Sequence, residues 1–276
     1  MTVKKPRKIV VDLSDVFSGG IAYVMLSRIQ NIEQLILVGG SHLDKVYPSE
    51  KALDELTNML EKQFKPCNGK SLLPNELKIF GCNIRSLPAH QKDIILEPCI
   101  SEADVILLQQ TCLSKNDMEN EFVINGFENH FVTIANGKGV VTHFSTGFRH
   151  VADVSEDQYQ MTLIRSQGLD IVNVYRSSNS SCDAKKKFVQ HLLYLLDFNK
   201  KVLITGDFNE DYPDSIISKE LEDLGFIQHV ILPTHIRGNL IDQVWTANVE
   251  HEKLILEHFP VYFTDHDAFF IKIDLS

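Results

Sequence analysis

No stretch of the 276 residues approaches the roughly 20 consecutive apolar residues that a membrane-spanning helix requires. The basic start Lys4-Lys5-Pro6-Arg7-Lys8 leads into only Ile9-Val10-Val11 before Asp12, too short an apolar run for a secretory leader. The expectation is a soluble intracellular protein with no membrane partner. The five cysteines, Cys67, Cys82, Cys99, Cys112 and Cys182, are odd in number, widely spaced and include no C-x-x-C pair. This argues against a disulfide framework and against a zinc site built on cysteine spacing, and leaves buried thiols in a reducing compartment. There is no internal repeat, low-complexity tract or long run of like charge, and no G-x-x-x-x-G-K-[ST] phosphate loop.

Positive charge is also scarce, with a formal net charge of −10. The imbalance lies late in the chain: residues 1–70 hold 10 Lys/Arg against 8 Asp/Glu, and the remainder 17 against 29. An acidic body weakens any simple electrostatic case for nucleic-acid binding. A divalent cation and a local basic patch would offset that mean field.

An apolar fraction of 43% supplies a sizeable core, and the length suits one main domain plus an appendage. The first 70 residues read as a strand at Lys8 to Val11, a Gly-Gly stretch into Ile21 to Ile29, a strand at Leu35 to Val38 and a helix from Pro48, with Leu53, Leu56, Met59 and Leu60 on one face. The run Lys65-Pro66-Cys67-Asn68-Gly69-Lys70, followed by Pro74-Asn75, has linker composition. Three segments follow: 1–64, a linker at 65–76, and a main domain at 77–276. In the last, short apolar runs rich in Val, Ile and Phe recur at Leu77–Ile84, Ala103–Gln109, Gly139–Phe144, Tyr159–Ile164, Leu169–Tyr175, Val202–Gly206, Leu240–Trp245 and Val261–Ile273. Helical patterns appear at Asp183–Phe198 and Ser218–Leu224. Many strands with few helices predict two packed sheets flanked by helices.

Three of these runs end in chemistry: Gly206-Asp207-Phe208-Asn209, Ile241-Asp242, and Thr264-Asp265-His266-Asp267. Gly-Asp-Phe-Asn alone would suit a turn. Carboxylates, an amide and an imidazole at three strand ends instead suggest metal-assisted hydrolysis. Asp207 suits a base that orients water, Asn209 a neutral donor to phosphate, and Asp265 a metal ligand. Neighbours in an ideal strand point to opposite faces, so Asp265 and His266 share a site only at a strand end or bend. Asp242 would then orient and charge-stabilise His266. His90, His143, His150 and His191 show no ligand spacing in the sequence.

In order and spacing over roughly residues 77–274, these motifs resemble the endonuclease/exonuclease/phosphatase superfamily, with its deoxyribonuclease-like fold. Upstream, Asn83-Ile84-Arg85-Ser86-Leu87 is similar to its first motif, whose Asn helps hold the metal, and Val174-Tyr175-Arg176 to the motif whose Tyr contacts the scissile phosphate. The resemblance implies an α/β, four-layer sandwich of two mixed β-sheets flanked by helices, with a short α/β N-terminal appendage. It also implies a monomeric Mg²⁺-dependent phosphodiesterase, with Mn²⁺ as the substitute ion. Asp207, Asn209, His266, Asp242 and Tyr175 would be its catalytic groups, and Asn83, Gln110 and Asp265 would surround the metal. The wording of the Asn83 and Tyr175 motifs and of Tyr262–Phe269 resembles endonucleases of mobile elements, which implies DNA as the partner and nuclear residence.

One position departs. Asp104-Val105-Ile106-Leu107-Leu108-Gln109-Gln110-Thr111 is similar to the superfamily's second motif, but Gln110 stands where the family has a metal-binding Glu. Gln keeps an oxygen and loses the charge, which predicts weaker metal binding or an impaired, binding-only groove. A phosphatase or phosphodiesterase acting on a small or lipid-linked phosphate is the rival enzyme that the acidic composition favours. At the other end, Gly20-Ile21-Ala22-Tyr23-Val24-Met25-Leu26-Ser27-Arg28 is similar to the last motif of DNA helicases from rolling-circle (Helitron-like) transposons. That resemblance makes residues 1–64 a truncated helicase remnant, unable to work without a phosphate loop.

Overall fold

The computed structural model describes residues 9–12, 35–38, 76–113, 122–133, 138–166 and 168–276. The chain divides into two compact units, Met1–Lys65 and Pro66–Ser276. In the first, β1 (Ile9–Asp12) and β2 (Leu35–Val38) pair in parallel. The expected helix from Pro48, the Gly20–Arg28 motif and the Pro/Gly-rich segment through Asn75 lie outside the described residues.

The second unit is built on two six-stranded mixed sheets. One runs in the order β13 (Leu254–Pro260), β14 (Asp267–Asp274), β3 (Glu76–Asn83), β4 (Val105–Gln109), β6 (Gly139–Phe144), β5 (Glu128–Thr133). The other runs β11 (Ile227–Gln228), β12 (Asp242–Ala247), β10 (Lys201–Asp207), β9 (Leu169–Arg176), β8 (Tyr159–Arg165), β7 (Arg149–Glu156). Each sheet has one central parallel pair, β3 with β4 and β9 with β10, and its other pairs are antiparallel.

The period of two along each strand sorts side chains between the faces. Ile79, Val105, Leu107, Ile171, Leu203, Val244, Phe269 and Ile271 meet in the core between the sheets. Their alternate neighbours face outward. Phe80, Cys82, Ile106 and Leu108 pack against Leu87 and Ile94 of α1 (Leu87–Leu96). Val172, Val174, Ile204 and Trp245 pack against Phe188 and Leu192 of α2 (Cys182–Leu195) and Ile217 and Leu221 of α3 (Ile216–Asp223). Both faces of both sheets are thereby covered, and each fully buried Ile, Leu or Phe contributes about 1.5–3 kcal/mol. The result is the four-layer α/β sandwich expected from the sequence. Among the described residues no helix is long and apolar enough to cross a membrane.

Three corrections follow. The apolar run Val261–Ile273 is not one strand: β13 ends at Pro260, a turn carries Val261 to His266, and β14 starts at Asp267. The Thr264 hydroxyl, which donates to the Asn83 carbonyl at 2.9 Å, anchors that turn. Strands β5, β7 and β13 escaped the sequence reading because they lie at or next to the sheet edges, where residues such as Glu128, Arg149 and Glu257 interrupt the apolar pattern. Helix α1 is the third. It is capped by the Ser86 hydroxyl, which accepts from the Ala89 amide, and opens on Leu87-Pro88, but it buries only Leu87 and Ile94 and so has a faint helical period.

Candidate active site

The inner faces that form the core turn polar at one end of the sandwich. Along β3 the inner positions run Ile79, Gly81, Asn83; along β10, Leu203, Thr205, Asp207; along β9, Ile171, Asn173, Tyr175. The same alternation that buries Ile79 and Leu203 therefore places Asn83 and Asp207 at the mouth. Just beneath, Gln109 Nε2 donates to Asn173 Oδ1 at 2.7 Å, and Asn173 Nδ2 donates to Thr142 Oγ1 at 3.2 Å, a buried polar layer joining the sheets. In register, Asp207 lies between Tyr175 of β9 and Asp242 of β12. This close pairing depends on Gly206, whose φ is +143° and where a Cβ would sit 1.9 Å from the Val174 carbonyl oxygen.

Asp207 is held by three donors. Asn83 Nδ2 reaches Oδ2 at 2.7 Å from the opposite sheet, Asn209 Nδ2 reaches the same oxygen at 2.7 Å, and the Asn209 amide donates to Oδ1 at 2.8 Å. Asn209 adopts φ +48°, a left-handed conformation that Asn tolerates, and its Nδ2 also donates to the Arg176 carbonyl at 2.7 Å. The buried Arg176 guanidinium in turn donates to the carbonyls of Phe208 (2.6 Å) and Asn209 (2.8 Å), fixing the chain just after β10.

Asp242 lies within 2.8 Å and 3.0 Å of His266 Nδ1 through its two oxygens and accepts from the Thr234 hydroxyl at 2.8 Å. Asp265 and His266 belong to the turn before β14, which resolves the facing problem: His266 Nε2 lies 3.9 Å from Asp265 Oδ1. A hairpin tip from the other sheet docks on this turn, with the Ile236 amide donating to the Asp265 carbonyl at 3.0 Å and the Asp267 amide to the Thr234 carbonyl at 2.7 Å. It delivers His235, whose Nε2 lies 3.4 Å from Asp265 Oδ2 and whose ring stands edge-on to His266 at 4.8 Å. Arg85 Nη1 donates to Asp265 Oδ2 at 2.7 Å.

These contacts set the charges. Burial, reinforced by the Asp242 carboxylate, pushes Asp207 far above the usual carboxylate range, to about 7, despite opposing pulls from His266 and its amide donors. Burial works to lower His266, but the hydrogen bond and charge of Asp242 outweigh it and hold the imidazole above its ordinary value. At Asp265 burial acts upward, and the Arg85 guanidinium and nearby imidazoles prevail, keeping it below the usual range. Tyr175, 4% exposed and packed on Val132 and Val140, is raised by burial and by Asp207.

Gln110 takes φ +51° as β4 ends, and its Oε1 accepts from Asn83 Nδ2 at 3.2 Å. All eight residues singled out in the sequence thus converge at the mouth: Asn83, Gln110, Asp207 and Asn209 through amide hydrogen bonds, Asp242, His266 and Asp265 around the imidazole, and Tyr175 beside Asp207 in register. The donors fit a divalent cation. The side-chain oxygens of Asn83, Gln110 and Asp265 are donors of the kind that Mg²⁺ takes, and buried Asp265 Oδ1 has no hydrogen-bond partner.

Sequence reasoning missed Thr234 and His235 and gave no role to Arg85 or Arg176. The available signal for the first two was Arg237-Gly238, a turn placed to fold Thr234 and His235 back beside Asp242; the Thr234 amide does donate to the Asn239 carbonyl at 3.0 Å.

No protein-family model matches the chain, and no curated protein sequence does. Solved structures do match. The endonuclease domain of TRAS1, a telomere-specific non-LTR retrotransposon, is 12% identical over 72% of this chain and 99% of its own, with a TM-score of 0.56. An AP endonuclease from Archaeoglobus fulgidus is 16% identical over 72% and 100%, with a TM-score of 0.59. The 3′-5′ exonuclease NExo from Neisseria meningitidis is 16% identical over 72% and 100%, with a TM-score of 0.56. At 12%, 16% and 16% identity the likeness is one of fold, shared here with two endonucleases and a 3′-5′ exonuclease.

Proposed function

We propose that the chain is a metal-dependent phosphodiesterase that cuts DNA internally, as an endonuclease of mobile-element type. The observation that carries this reading is the joining of two half-sites at one mouth, Asn83–Asp207–Asn209 and Asp242–His266, with Asp207 and His266 carrying unusual proton affinities. Asp207 accepts the proton of an attacking water, since a base poised near 7 is well matched to neutral pH. Tyr175 donates to the phosphate oxygens, and Asn209 does so on exchanging one of its two Nδ2 partners, Asp207 Oδ2 or the Arg176 carbonyl, for the phosphate. His266, kept charged by Asp242, faces the negative charge that develops as the bond breaks. Asn83, Gln110 and Asp265 would hold the cation, with His235 beside Asp265. When bound, Mg²⁺, or Mn²⁺ in its place, polarises the phosphoryl group.

DNA is favoured by the rim. Ile236, Arg237, Tyr262 and Arg85 are exposed around Asp265 and present apolar and basic surface despite the acidic mean charge. TRAS1 is the endonuclease domain of a retrotransposon, and a Neisseria NExo structure holds a product DNA hairpin, which supports nucleic acid as the substrate. The net charge of −10 favours a second reading, a phosphatase or phosphodiesterase on a small or lipid-linked phosphate. Incubation with supercoiled plasmid and Mg²⁺ separates them. Internal nicking, with DNA binding that weakens steeply as salt rises, supports the endonuclease; release of phosphate from small esters with no nicking supports the second reading.

A further inference from the structure

We propose that His130, His150 and Asp153 form a second metal site, away from the mouth, that takes a borderline transition metal such as zinc. The residues come from the outer strands of both sheets: His130 from β5, His150 and Asp153 from β7. His130 Nε2 lies 2.6 Å from Asp153 Oδ2, His150 Nε2 lies 3.0 Å from Asp153 Oδ1, and the imidazoles stack with centroids 3.6 Å apart and planes 16° from parallel.

A regular strand would not build this. Residues three apart on a strand point to opposite faces, so His150 and Asp153 could not share a ligand. The pairing of β7 with β8 shifts between His150 and Ala152, leaving Val151 as an extra residue. That bulge reverses the facing beyond it, as bulges do where a strand must re-aim a side chain. His150 and Asp153 then point together toward His130. This is why the site has no signature in sequence spacing.

Two imidazole nitrogens and a carboxylate are a three-ligand set of the zinc type, with a fourth position open to water or an external group. The ligand atoms lie within 4.8 Å of one another; tetrahedral zinc, with Zn–N about 2.0–2.1 Å, wants separations of roughly 3.3 Å, so a small side-chain adjustment suffices. Each imidazole would ligate through Nε2, the nitrogen that faces Asp153, in its deprotonated form. Imidazole ligands select zinc, copper or nickel over Mg²⁺, and because His235, Asp265 and His266 at the mouth are a similar donor set, it is the loss of one zinc on substitution here that marks this site.

The test is calorimetric titration of Zn²⁺ into the chelator-stripped full chain and into His130→Gln, His150→Gln and Asp153→Asn, with thermal melts of each with and without Zn²⁺. The expected result is one zinc fewer in every variant and loss of part of the zinc-induced rise in Tm, while Mg²⁺-dependent nicking is unchanged. Equal zinc stoichiometry in the natural chain and the folded variants overturns the proposal, as does a natural chain that binds no zinc.

Discussion

Asn83 Nδ2 donates to Asp207 Oδ2 at 2.7 Å, and the bond ties the end of β3 in one sheet to the end of β10 in the other. Neither sheet holds the site alone. The carboxylate at this junction is fully buried, faces Asp242 directly across the β10–β12 pair, and is satisfied mainly by neutral amide donors. Its ionised form is therefore costly.

This gives a prediction for stability. A group whose folded pKa lies above its unfolded value stabilises the protein fully below the unfolded pKa, and that contribution is lost as pH rises through the folded pKa. For Asp207, raised to about 7, the window runs from about pH 4 to about pH 7. In chelator, the stability of the natural chain falls across that window relative to Asp207→Asn by an amount on the order of a few kcal/mol, read as a drop in Tm. Parallel Tm–pH curves for the two proteins would refute the assignment.

In the proposed mechanism Asp242 acts through His266. Asp242→Asn keeps the shape but removes the charge 2.8 Å from Nδ1, so nicking should fall by about 10²–10⁴-fold. The alkaline limb of the pH–rate profile should also move to lower pH, because His266 loses the partner that raises it. Lower activity with an unmoved limb would mean that Asp242 is only a structural support.

The backbone at Gly206 sets the site as firmly as the side chains do. Gly206→Ala would drive a Cβ into the Val174 carbonyl at 1.9 Å, and a loss of about 3 kcal/mol or more is expected. Gly168→Ala is the control: φ is +92° but nothing lies within 4 Å, so it should cost about 1 kcal/mol. Similar Tm losses for the two would show that close packing at Gly206 is not the cause.

In the proposed metal site Gln110 would supply a neutral oxygen where an anionic one would bind Mg²⁺ more tightly. Gln110→Glu should lower the Mg²⁺ concentration for half-maximal nicking by about tenfold or more. An unchanged requirement would place Gln110 outside the metal's reach.

What the sequence made legible follows from burial. Central strands such as Leu169–Arg176 and Lys201–Asp207 are buried almost throughout and read as largely apolar runs, so Asp207, Asn209 and Tyr175 stood out at their ends. Edge strands such as β7 have exposed residues and a bulge, which hid both the strand and the His150–Asp153 pairing. Thr234 and His235 reach the site through a turn and a cross-sheet bridge to His266, a relationship with no local period to reveal it. The Asp265–His266 order was readable as chemistry but not as geometry until β14 was found to start at Asp267.

The most direct measurement is Mg²⁺-dependent nicking of supercoiled plasmid by the natural protein beside His266→Ala and Gln110→Glu. The account predicts nicking by the natural chain, its loss in His266→Ala, and faster nicking at low Mg²⁺ by Gln110→Glu. Nicking that survives in His266→Ala, or that appears only in Gln110→Glu, would contradict it.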